Sequence, residues 1–432
     1  MSGGGAASAG ALLRWESAGV GPEGLDAAGL AALPTGWGVV VLEDGSGRAA
    51  AVATTGDVRA FVAGRVGADA EGTRAAALRG VVRGVRWAAA GSRFVAELGF
   101  LEAARGSAPT TFRAVTEKQR AWWVGSTCDA ADREGLRLEK AASHEVAGRA
   151  AAGWGCVGPI GDKKAAGKLI EELEALWELC RYHEELVRAP GGKPCAYKEM
   201  GACRATCEGG ESLEAYAERV RAALAAAGSG GSAAAARAEE AMREAAAAQR
   251  FEEAAAWKDW AERAGRALGG KRLARMGGLG ACRWATVVAS EREGWARVLL
   301  VRGGVVTPIA EVREGEESGW LEAVGAAVDR WAGGAVGAAD VGGAHEEAFG
   351  LVCWWLTGPV RKGRGSAAGF GRVGGEGEGG AAAVGEAYRS WRGAWGRADD
   401  GGAWAAGGRA AGGKLGSESR AEAGGEGLLW EA

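Results

Sequence analysis

Asparagine is absent from the 432 residues, and tyrosine, phenylalanine and methionine are scarce at 4, 7 and 4 copies. Against them stand 78 Gly, 19 Trp and a hydrophobic fraction of 47% carried largely by alanine. Such a bias points to G-rich codons, so composition says little about function, and a residue type lost at one position can be drift. No apolar stretch follows Met1, and none approaches the roughly 18 residues that read as a membrane span. Secretion and a membrane role are both disfavoured. Charges nearly cancel at a formal −3; no global basic field advertises nucleic acid, and any such contact must be local. Eight cysteines in so long a chain fit a reducing cytosol better than a disulfide framework. The length predicts about two to four compact units joined by linkers.

What the chain does have is a thiol cluster. Cys180, Cys195, Cys203 and Cys207 fall within 28 residues, and the last two form a Cys-x-x-x-Cys between two helical patterns. Thiolate is a soft ligand, and four together complete the coordination of a tetrahedral zinc ion or an iron–sulfur cluster. Chance clustering is the alternative. Cys128, Cys156, Cys282 and Cys353 stand apart and read as buried structural thiols.

Along the chain, residues 1–33 read as a poorly ordered, Gly/Ala-rich lead. Gly38–Leu42 and Ala49–Ala53 form a hairpin across Asp44-Gly45-Ser46-Gly47. A helix capped by Asp57 follows, with further helical patterns over 73–88 and 92–104. Residues 34–115 are therefore a small β-hairpin and helix module. In the connector and cysteine unit, 116–228, a strand is expected at Ala121–Val124 and a break at Gly158-Pro159. The spacing of Leu169, Leu173, Leu176 and Leu179 predicts a helix over 164–185 that carries Cys180 at its end. Ser212 caps a helix that closes the knuckle, and Gly228-Ser229-Gly230-Gly231 reads as a flexible linker. Residues 233–268 are an alanine-rich helical hairpin broken near Gln249-Arg250, with a thin apolar face (Met242, Ala245, Ala246, Phe251, Ala255 and Leu268). So little core predicts completion on a partner or on the rest of the chain. Glu239 with Arg243, and Asp259 with Arg263, are placed to pair along the helices. Residues 280–358 read as three strands, at 285–290, 295–302 and 305–312, then helices near 319–332 and 343–356. The Gly-rich tail 361–432 reads as mostly disordered. The fold class is α+β, multidomain.

Two motifs now carry a resemblance. Gly158-Pro159, Leu179-Cys180 and the run from Cys195 to Cys207 are similar to the Gly-Pro element and cysteine cluster of the UvrC family. These are the nuclease subunits of bacterial nucleotide excision repair. Phe251-Glu252-Glu253-Ala254-Ala255-Ala256-Trp257-Lys258-Asp259 resembles the UVR motif of the same family, in the same order along the chain. The resemblance spans about residues 34–356 and is strongest over 154–268. It implies a 4Fe–4S cluster on Cys180, Cys195, Cys203 and Cys207, with zinc as the other occupant this chemistry allows. It also implies docking on a UvrB-like subunit through Phe251, Glu252, Ala255 and Asp259, and action on damaged duplex DNA in the bacterial cytoplasm.

The first module departs from the family. There the resemblance implies a GIY-YIG nuclease with two tyrosines, a basic pair and a metal-holding glutamate. Val40 and Ala51 stand at the tyrosine elements, Thr54 at the lysine, and Phe61 two positions past Arg59 at the arginine. None supplies a base for water or a cation for phosphate. Glu97 alone fits, as a candidate carboxylate for Mg or Mn if the module is active; an ordinary helix-surface glutamate is the other reading. Arg65 or His144 could replace lost groups, and His183 is a conceivable fifth metal ligand. The family's second nuclease domain is not found in the sequence. The expectation is a UvrC-like binding or regulatory relative with an inactive module. The alternatives are an active excinuclease and a metal-cluster scaffold unrelated to repair.

Overall fold

The computed structural model describes residues 12–72, 78–269, 276–331, 333–359, 361–374 and 379–394, with the backbone of 429–431. Among these residues the architecture is α+β, with three sheets. In the first, the hairpin of β2 (Gly38–Asp44) and β3 (Ala49–Thr55) is set by Asp44, whose carboxylate accepts from the Ser46 and Arg48 amides. β4 (Val82–Ala89) pairs with the other side of β2, and β1 (Trp15–Gly19) pairs with β4, all antiparallel. The backbone of Leu429–Glu431, β13, lies along the outer edge of β3.

Two expectations change here. Within 73–88, residues 73–77 lie outside the described set, but Val82–Ala89 is a strand, not a helix. Val82, Val85 and Trp87 are buried there. β-branched and aromatic side chains packed on a pleated surface outweigh a weak helical spacing. The lead is structured from Leu12 onward, because Arg59 donates to the carbonyls of Ala31 and Leu33 and β1 completes the sheet. The remainder of the lead lies outside the described residues.

The second sheet runs β6 (Glu139–Ala142), β5 (Trp122–Ser126), β7 (Gly155–Ile160), β8 (Met276–Gly277). Gly158 and Pro159 lie inside β7 and do not break it. The helices Lys163–Leu176 and Leu213–Gly228 share a core with this sheet. Gly228–Gly231 is a tight turn: Gly230 and Gly231 take φ of 66° and 81°, and the Gly231 amide donates to Ala226. Left-handed backbone suits glycine, so these residues make a corner where a flexible linker was expected.

The third sheet runs β11 (Val305–Arg313), β10 (Trp295–Arg302), β9 (Arg283–Ala289), β12 (Ala368–Arg372), with helices Glu317–Trp331 and Gly380–Gly393 against it. β12 and the helix after it fall in the segment expected to be disordered. Tyr388 and Trp391 of that helix are fully buried. Glycine is what permits the contact: a Cβ at Gly369 would lie 1.9 Å from the Ala387 carbonyl oxygen, and one at Gly371 1.8 Å from that of Ala383. Residues 395–428 lie outside the described set.

One hydrophobic cluster joins all three sheets, from Val39 and Val41 through Trp123 and Trp284 to Leu299. The helix Glu346–Thr357 contributes Phe349, Val352, Cys353 and Trp355 to it. Gly371→Val places branched carbons where a carbonyl now sits, and overpacking of that kind costs about 1–3 kcal/mol or more. Amide hydrogen exchange over 380–393 should rise sharply in the variant while 213–228 stays protected.

Candidate cysteine site and docking face

The helix Lys163–Leu176 is capped at its start by Asp162 and stops short of the cysteine. Glu178, with φ of 52°, turns the chain out, and Leu179 is buried at the corner. Cys180 therefore sits in a loop past the helix expected to carry it. Its amide donates to the Tyr216 hydroxyl at 3.2 Å, and its thiol to the Tyr182 carbonyl at 3.4 Å. Tyr216 belongs to the helix Leu213–Gly228, whose start Ser212 caps as expected. Cys195 is the N-cap of the short helix Ala196–Glu199. The Cys203 sulfur accepts from the Ala205 amide at 3.4 Å. Cys207 lies in a turn over Thr206–Glu208 and is laid against the Gly192 strand of the loop: Gly192 N–H donates to the Cys207 carbonyl at 2.9 Å, and a Cβ at Gly192 would lie 2.9 Å from the Cys207 Cβ.

The four thiols share one electrostatic neighbourhood. Burial pushes the Cys180 thiol up to about 11, and negative charge on Cys203, Cys207 or Cys195 raises it further. Burial raises Cys207 as well, with Cys203, Glu208 and Cys195 adding to it. Cys180 and Cys207 thus resist ionising beside negative charge on their neighbours, and a soft metal centre would offset that cost. The donor set thus suits a thiolate-bound centre. Among the described residues, however, no three His, Cys, Asp or Glu side chains stand close enough to share a single metal ion. His183 stands 3.5 Å from Glu134 at the start of the helix His183–Val187.

The remaining thiols are buried, as expected, but three of them are not isolated. Burial raises Cys156 to about 12, and burial, with Cys282 and Cys156 adding to it, raises Cys353. Thiols so far from ionisation are inert.

The helical hairpin comprises Ser232–Ala247 and Phe251–Leu268, with Gln249 at φ 57° in the break. It buries Ala238, Ala245, Ala254, Ala264 and Leu268. One residue that sequence reading missed fixes it in place. Trp260 packs edge-on against Trp177, ring centroids 5.3 Å apart, and donates to the Leu176 carbonyl at 2.8 Å. A tryptophan pair 83 positions apart leaves no local signal. The opposite face is open: Phe251 is 69% exposed, and Glu252, Ala255 and Asp259 are exposed beside it. Glu239 and Arg243 do pair, at 3.8 Å. Among the described residues Asp259 and Arg263 form no such bridge.

In the first sheet, Val40, Ala51 and Phe61 pack together in one apolar cluster, with Arg65 stacked 3.6 Å over the Phe61 ring. Thr54 is buried on β3. Glu97 belongs to the helix Arg93–Ser107, whose apolar residues pack with Val39, Val41 and Val52 on the other face of the sheet. It is not a surface residue: it is 3% exposed, and its oxygens accept from Arg93 Nε at 2.8 Å and Trp355 Nε1 at 2.7 Å. His144 lines a cavity of about 360 Å³ with Arg105 and Glu346. The structure therefore does not assemble Val40, Ala51, Phe61 and Glu97 into one site.

These features define a class: a multi-sheet α+β protein whose central unit presents a four-thiol loop and an anchored helical hairpin. Residues 135–226 match the family model of the UvrC/Cho excinuclease middle domain. The UvrABC system protein C of Syntrophotalea carbinolica (strain DSM 2380 / NBRC 103641 / GraBd1) is 30% identical over 159 residues, covering 37% of this chain and 24% of that protein. No solved structure matches the chain. The similarity is thus to the middle domain of that family, and it spans about a quarter of the curated relative's length. No helix among the described residues is long and apolar enough to cross a membrane.

A pH dependence follows from Glu174, beside the thiol loop. Burial raises its carboxyl to about 7 although Arg181 stands 3.8 Å away and pulls it down. A raised carboxyl favours folding fully below the unfolded value near 4.5 and loses that contribution as pH rises through about 7. Glu174→Gln should therefore be more stable than the parent at pH 8, by on the order of 1 kcal/mol after solvent screening, and no more stable at pH 4.5. Thermal unfolding at the two pH values measures it.

Proposed function

We propose that this chain serves nucleotide excision repair in the bacterial cytoplasm as a binding relative of UvrC. It docks a UvrB-like subunit and helps retain damaged duplex DNA without cutting it. The observation that carries the reading is the open face of the helix Phe251–Leu268. Phe251, Ala255 and Asp259 recur at helical spacing, and a phenyl ring 69% exposed lies on a hairpin whose inner face Trp260 already fixes. An aromatic ring held out by a rigid support is well placed to anchor a partner in a pocket. Lack of cutting rests on chemistry. Val40, Ala51 and Phe61 are core side chains, Thr54 is no cation, and the Glu97 carboxylate is already engaged by Arg93 and Trp355, so these positions supply neither the base nor the phosphate clamp that hydrolysis needs.

Cys180, Cys195, Cys203 and Cys207 would hold the 4Fe–4S cluster, or zinc in its place. Either centre supplies positive charge that lets the four thiols ionise together and cross-links the loop. The chain's own part is to bury Cys180 and Cys207, orient the Cys180 backbone through Tyr216, and keep the Gly192 segment against Cys207.

Phe251→Ala should weaken binding of a UvrB-like subunit by about 30- to 150-fold, the worth of a buried phenyl at roughly 2–3 kcal/mol. Calorimetry measures this; unchanged affinity with the hairpin still helical overturns the docking face. In the same mixtures damaged duplex should be retained and remain unnicked with Mg or Mn, and nicking abolished by Glu97→Ala would overturn the inactive reading. Anaerobically purified protein should be brown and contain iron, and Cys203→Ser should lose both colour and metal and raise hydrogen exchange across 180–225. Stoichiometric zinc without iron or visible absorption would replace the cluster with a zinc site.

A further inference from the structure

A cavity of about 1330 Å³ opens between the helices Lys163–Leu176 and Phe251–Leu268, the end of Glu346–Thr357, and β12. Five cationic and three acidic side chains line it, together with Trp354 and Phe370. Of the acids, Asp162 is already occupied as a helix cap, accepting from the Ala165 amide. The cations are poorly paired. Lys168, Arg263 and Arg372 are exposed and reach no acid within salt-bridge distance among the described residues. Arg361 is held over two indoles, 4.1 Å from the Trp354 centroid and 3.8 Å from that of Trp355, and its Nη1 is buried with no hydrogen-bond partner. Burial lowers Arg361 to about 10, which leaves it cationic at neutral pH.

A cavity for one small ligand holds about 300–1,000 Å³, so this one has room for more than a single nucleotide. Unpaired guanidinium groups suit phosphate, and aromatic faces suit bases free of their stack. A duplex offers no such bases. We propose that this cavity takes a short run of single-stranded nucleic acid, phosphates on Arg263, Arg361 and Arg372, with a base against Trp354 or Phe370. The inference deepens the proposed function by giving DNA a place on this chain, and it rests on that reading only for the strand's source.

The test is fluorescence anisotropy of a labelled ten-nucleotide oligo-dT with the full chain at several salt concentrations. The double variant Arg263→Glu/Arg372→Glu should bind at least about 10-fold more weakly at 100 mM salt, and its log–log salt slope should fall by about 1.4, near 0.7 for each single-strand phosphate left without its arginine. Trp354→Leu should weaken binding about 5- to 150-fold if a base stacks there. Arg237→Glu/Arg243→Glu makes the same charge change away from the cavity and should leave affinity within about twofold. All variants are first matched to the parent by circular dichroism and thermal midpoint. No binding by the parent, or equal losses in the two double variants, overturns the site. Binding of ADP with the same arginine dependence, and none of oligo-dT, overturns the strand in favour of a free nucleotide. Phe251→Ala should leave oligo-dT binding intact, so failure of subunit docking and failure of this site read out separately.

Discussion

Inside the core shared by the three sheets, Trp355 donates its indole N–H to Glu97, and Arg93 closes the other side of the carboxylate. An unpaired carboxylate at that depth would carry an effective penalty of several kcal/mol, so Glu97 makes the rest of the packing conditional on its partners. The helix Arg93–Ser107 belongs to the first sheet, and Trp355 to a helix that packs against the second and third. A charge with a fixed set of donors specifies one arrangement of these units, where apolar surface alone would tolerate sliding. Arg361 above the same indole extends the node to the wall of the large cavity.

The thiol loop obeys a different constraint. Its two buried sulfurs resist ionisation, and each negative charge added nearby raises that resistance. The loop is held meanwhile by hydrogen bonds that ask nothing of a ligand: Cys180 to Tyr216, Gly192 to Cys207, Ala205 to Cys203. The Cys180–Tyr216 and Gly192–Cys207 bonds fix the path of the chain ahead of any bound centre, which lowers the ordering entropy that binding must overcome. The hairpin divides its labour similarly, Trp260 anchoring one face and Phe251 left free on the other.

Local pattern was legible and long-range pairing was not. The hairpin at Gly38–Thr55, the Asp57 and Ser212 caps, the break at Gln249 and the three strands from Arg283 to Arg313 were all readable, because each depends on neighbours in sequence. What failed needed a partner far along the chain. Val82–Ala89 becomes a strand because β1 and β2 flank it, and Glu97 looks like a surface residue until Trp355 arrives from 258 positions away. The cavity's cations were invisible for the same reason: Arg263 sits on a helix, Arg361 in a loop and Arg372 on a strand.

Glycine was discounted as a by-product of coding bias, yet Gly369 and Gly371 let a helix rest on β12, and Gly325 meets Gly380 where two helices cross, a Cβ at Gly380 lying 2.2 Å from the Gly325 carbonyl oxygen. Each such approach excludes every side chain, including alanine. A single-base change in a glycine codon adds at least one carbon, so these positions have no neutral missense neighbour.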